Sequence, residues 1–165
     1  MGVKVNSELA AFFETGDQPS QTEFGHLIDS MLPTPVLLNP SSEVLTRDNH
    51  QGRTLIVPNV GSNATYTIPN PTAAGEHYHF IYGGAAVEAQ NHIFEMTSAL
   101  LVGAIQWINN TAPGVNGGGV WGDASNDTRL TVVIPEAYDI HFLAASPTLV
   151  YVWGFVGSQT TPQFS

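Results

Sequence analysis

The sequence predicts a mainly β protein: an antiparallel β-sandwich or jelly-roll-like barrel preceded by a short N-terminal helical arm. Three observations carry that expectation. From about residue 36 onward, apolar side chains recur with period two. The alternating segments are separated every ten residues or so by clusters of Asn, Gly, Pro and Ser, the spacing of sandwiches and barrels. Helical periodicity is confined to the first 35 residues. The chain therefore divides into an arm, 1–35, and a β-domain, 36–165.

In the arm, Ser7 to Glu14 reads as a short helix stopped by Gly16. Ser20-Gln21-Thr22-Glu23 has capping-box spacing, in which a hydroxyl and a carboxylate reciprocally satisfy the orphan N–H groups of a helix start. Phe24, Leu27, Ile28 and Met31 follow at helical period, and Pro33 and Pro35 end the run. The pattern predicts a helix over 21–31. Two uses for it stand open. Phe12, Phe13, Phe24, Leu27, Ile28 and Met31 anchor the arm on another surface, or the helix covers one end of its own sandwich.

In the β-domain, Thr54 to Val57 and Thr65 to Ile68 read as strands closed by Pro58 and Pro69. Tyr78, Phe80 and Tyr82 alternate with His77, His79 and Ile81; Leu130, Val132 and Ile134 alternate with Arg129, Thr131 and Val133. Tyr138, Ile140 and Phe142 alternate with Asp139, His141 and Leu143. Residues 98–108 are ambiguous by period and are assigned to a strand because their neighbours are strands and Gly103 interrupts them. Thr148 to Val156 is apolar on both faces, so either both are covered within the subunit or one lies in a subunit interface. Asn109 to Asp127 reads as a long Gly/Asn-rich loop, of the kind that carries function.

Charge excludes several functions. Among 165 residues, Lys and Arg number 4 and Asp and Glu 14, a net charge of −10 and a charged fraction of 11%, against roughly a quarter in an ordinary domain. Four cations are too few to neutralise phosphates, so neither nucleic acid nor an anionic membrane is an expected partner. No apolar run approaches the roughly 20 residues of a spanning helix. The absence of cysteine excludes a disulfide scaffold, and residues 1–6 lack the apolar core of a secretory signal.

The best metal-ligand candidate is His77-Tyr78-His79, because two histidines one residue apart on a strand share a face; His141 is a distal third ligand. The alternative is a wetter strand face beside Glu76. Glu88, the next carboxylate, is too distant for the cupin pattern. No nucleophile elbow occurs, and Gly117-Gly118-Gly119 lacks the lysine of a phosphate loop. Trp121 and Asp123, with Asp127, form a possible contact loop for a glycan or Ca²⁺; the alternative is that the acids hold turns while Trp121 packs or meets a neighbour.

Two stretches carry a resemblance. Phe13-Glu14-Thr15-Gly16-Asp17-Gln18-Pro19-Ser20, continuing through Phe24 to Leu27-Ile28-Asp29-Ser30, resembles a segment of tailed-bacteriophage structural proteins. Leu45-Thr46, Gly52-Arg53-Thr54, Tyr66-Thr67-Ile68-Pro69 and Ala74-Gly75-Glu76-His77-Tyr78-His79-Phe80 are similar to a β-module of phage virion proteins, with Arg53 in place of its usual lysine. The resemblance implies a non-enzymatic virion component assembled in the bacterial cytoplasm. It would be a capsid decoration (cement) protein working as a homotrimer on the major capsid protein, without catalytic residues or cofactors. A tail fibre or spike module binding a receptor or glycan is the alternative, although no heptad or collagen-like shaft is present. A metal-dependent β-barrel enzyme using His77, His79 and His141 is the third.

Overall fold

The structure, a computed structural model, describes residues 20–31, 34–84, 88–109 and 117–165. Helix α1 (Gln21–Met31) begins where the capping box places it. The Ser20 N–H donates to Glu23 Oε2 at 2.7 Å, and the Glu23 N–H donates to Ser20 Oγ at 3.3 Å. Phe24 and Ile28 are exposed and Leu27 is half-buried, so the first two do not cover the sandwich. Phe12, Phe13, the side chain of Met31 and the helix expected over 7–14 lie outside the described residues.

The β-domain is a two-sheet sandwich. Its strands are β1 (Val36–Leu37), β2 (Glu43–Val44), β3 (Thr54–Val57), β4 (Ala64–Thr67), β5 (His77–Tyr82) and β6 (His92–Glu95), with a one-turn helix α2 (Arg47–His50) after β2. Then come β7 (Leu100–Ile108), β8 (Gly118–Asp123), β9 (Arg129–Val132), β10 (Pro135–Ser146), β11 (Leu149–Ser158) and β12 (Gln163–Phe164). Among the described residues one sheet runs β1-β3-β5-β10-β11-β7-β8 and the other β12-β9-β6-β4-β2.

The expectation of antiparallel pairing is corrected: both sheets are mixed. The first six strands cross alternately from one sheet to the other, so a strand returning to its sheet points the same way as its predecessor. β1, β3 and β5 are parallel, and so are β2, β4 and β6. Residues 25 apart, Thr54 and His79, thereby become neighbours. The later strands form the hairpins β7–β8 and β10–β11, while β7 and β11 pair in parallel.

Alternation places Leu55, Val57, Tyr78, Phe80, Ile140, Phe142, Val150, Val152 and Leu101 on the inner face of the larger sheet, against Tyr66, Phe94, Leu130 and Val132 of the smaller one. Phe94 bridges the sheets, its ring centroid 4.6 Å from Phe80 and 5.7 Å from Tyr138. Glu76 turns inward, accepting from the Thr72 N–H and hydroxyl and pairing with Arg47 at 2.9 Å.

The contact-loop assignment of Trp121 and Asp123 is also corrected, because both stand on β8, paired with β7. Glycines that read as a loop are extended here, and the Trp121 ring lies over Gly119.

Candidate functional site

The outer face of the larger sheet holds the chemistry-bearing side chains. Cross-strand register sets Thr54, His79, His141, Trp153, Ala104 and Trp121 in one transverse row over β3, β5, β10, β11, β7 and β8. A flanking row contains His77, Leu143, Tyr151 and Val102; the other contains Ile81, Asp139, Phe155 and Gln106. Period two does the rest: i and i+2 share a face, so His77 and His79 on β5 meet Asp139 and His141 on β10.

The three histidines singled out by sequence are brought together. The His79 and His141 rings are parallel within 4°, with centroids 4.1 Å apart, and His77 lies 5.2 Å from His141. Trp153 stacks on His141 at 5.0 Å and on His77 at 6.1 Å. Hydrogen bonds run through the cluster. His79 Nε2 lies 2.9 Å from Asp139 Oδ1, and His141 Nε2 lies 3.0 Å from the same oxygen. At the far nitrogens, His79 Nδ1 is 3.2 Å from Thr54 Oγ1, and His141 Nδ1 is 3.0 Å from His77 Nε2.

One proton arrangement satisfies this chain with every imidazole neutral. Both Nε2–H groups donate to Asp139, the Thr54 hydroxyl donates to His79 Nδ1, and His77 Nε2–H donates to His141 Nδ1. Burial first, then the neighbouring His141 and His79, lowers the His77 pKa. Burial and then His79 lower that of His141, against the opposing pull of Asp139.

Asp139 escaped the sequence reading, although Asp139-Ile140-His141 repeats the one-residue spacing that drew attention to His77 and His79. Glu88 stays out of the cluster. It is buried in the core, where its Oε2 accepts from the Val60 N–H at 2.6 Å and lies 3.9 Å from His92 Nε2. Asp123 is committed to a turn, accepting from the Ser125 N–H and hydroxyl, and Asp127 accepts the Asp123 N–H.

The remaining outer face is apolar and open. Trp121 is 69% exposed, Tyr151 49%, Ile108 44%, Trp153 42% and Phe155 39%. Of the two alternatives for 148–156, the described residues leave the outer face of that strand open, with Tyr151, Trp153 and Phe155 exposed. Between Trp153 and the Gly117–Gly119 backbone lies an open groove of about 770 Å³, floored in part by Ala104. Among the described residues no helix is long and apolar enough to cross a membrane. Comparison with protein-family models, curated proteins and solved structures finds no match to this chain.

Proposed function

We propose that the chain is a non-enzymatic structural protein of a tailed-phage virion, a capsid decoration protein that assembles as a homotrimer. In this reading, sister copies cover the outer face of the larger sheet and the arm with α1 docks on the major capsid protein. The observation that carries it is the exposed ladder Tyr151, Trp153 and Phe155 on β11, extended by Trp121 and Ile108. Contiguous exposed aromatics of this kind mark interaction surfaces. Bringing a half-exposed Trp or Tyr out of water removes about 100 Å², worth about 2.5 kcal/mol before ordering costs. Exposed Phe24 and Ile28 leave α1 free to bury that side elsewhere.

The test mixes purified protein with undecorated mature heads of the phage that carries the gene. Saturable binding at a fixed ratio to the capsid protein is expected; a protein that ignores those heads contradicts the reading. A glycan-binding tip module is the second reading, favoured by the groove beside Trp153 and by Trp121 across Ala104. Glycan binding lost in Trp121→Ala, with head binding absent, would replace the first reading by the second.

A further inference from the structure

We propose that His79, Asp139 and His141 bind one divalent transition-metal ion, zinc being the best match to two imidazoles and a carboxylate. The site needs no enzymatic role, and although it lies on the face the proposed trimer would cover, its metal titration is read separately from head binding. One donor atom from each of His79, His141 and Asp139 lies within 4.8 Å of the other two, and both Nε2 atoms already converge on Asp139 Oδ1 at 2.9 and 3.0 Å. Donors each about 2.1 Å from a tetrahedral zinc lie about 3.4 Å from one another, so the trio, its donors all within 4.8 Å, reaches that spacing by a closure of at most about 1.4 Å. The His79 and His141 rings are parallel within 4°, so taking up the ion requires them to tilt toward each other about the shared Asp139, with Trp153 stacked beside His141.

The second observation concerns the nitrogens facing away. A ligating imidazole binds the metal through one nitrogen and donates the other N–H to a fixed acceptor. Both acceptors are present. His79 Nδ1 faces the Thr54 hydroxyl at 3.2 Å, and His141 Nδ1 faces His77 Nε2 at 3.0 Å. Metal entry moves each ligand's proton from Nε2 to Nδ1, and the same Thr54 and His77 contacts reverse direction, with Thr54 Oγ1 and His77 Nε2 now accepting. For His77 to accept, its own proton moves to Nδ1. No net proton leaves the protein. The ion meets one carboxylate in a chain of net charge −10, which favours cation approach.

The experiment titrates the full chain with Zn²⁺ by calorimetry and with Co²⁺ by visible absorption. We expect saturation near one ion per chain, with Co²⁺ d–d bands. Asp139→Asn and His141→Ala should each weaken binding at least about tenfold, and Thr54→Val about tenfold by loosening His79. Because a variant can lose its fold, wild-type protein is also followed by histidine ¹H–¹⁵N spectra. Zn²⁺ should switch His79 and His141 to the Nδ1–H tautomer and leave His92 unchanged. Absence of saturable binding, binding unaltered in the variants, or unchanged tautomers of His79 and His141 would overturn the proposal.

Discussion

His92 sits fully buried between the sheets, its Nδ1 2.8 Å from the Tyr138 hydroxyl and its Nε2 near Glu88. Burial lowers its pKa from 6.5 to about 4, against the attraction of Glu88; Tyr138, Tyr82 and Tyr66 are the other titratable groups around it. Above pH 6.5 neither folded nor unfolded chain protonates this imidazole. Between 6.5 and about 4 only the unfolded chain does, so stability falls with pH through that window, by on the order of 3 kcal/mol in total. Urea unfolding at pH 7.5 and 4.5 should show a larger loss in wild type than in His92→Gln. Gly154 is a second sensitive residue. Its φ of +142° and an added Cβ 2.0 Å from the Asp139 carbonyl predict that Gly154→Ala destabilises by about 2–3 kcal/mol, read from the urea midpoint. Neither was legible beforehand, because a histidine's burial and a glycine's dihedral depend on partners distant in sequence. His77, His79 and His141 were legible as a group, since strand period alone puts each on the face opposite its aromatic neighbours.

Among the elements, α1 was the most readable, because a capping box and a proline stop are local signals. Ser20→Ala removes half of that box and should cost about 1 kcal/mol of local helix stability. Faster amide exchange over residues 21–27, with the sandwich unchanged, is the expected readout. The longer alternating strands were readable for the same local reason, and most of the ambiguous 98–108 segment is strand β7, whereas the short β1, β2, β6 and β12 were not singled out. Strand partners were not. The parallel pairing of β3 with β5 follows from a crossing to the other sheet through β4, which no period within either strand encodes. β8 was hidden because Gly118, Gly119 and Gly122 carry no side chain to alternate, and only its register with β7 reveals the strand.

At the scale of the whole molecule, a charged fraction of 11% and a sheet face bearing Trp121, Tyr151, Trp153 and Phe155 describe one surface. The chain exposes 8465 Å², and few charges are available to solvate it. The sandwich itself needs none of those outer aromatics, since its core closes through Phe80, Phe94 and Phe142 on the inner side. In the proposed reading their account is intermolecular, with copies of the chain meeting on this face. Sedimentation equilibrium of the purified protein tests that most directly, with Trp153→Ala beside the wild type. The prediction is a wild-type mass about three times that of the 17.6 kDa chain. Removing Trp153 should shift self-association by about 2 kcal/mol per subunit, roughly thirtyfold in the dissociation constant. A wild type that sediments as a 17.6 kDa monomer at every concentration would contradict it.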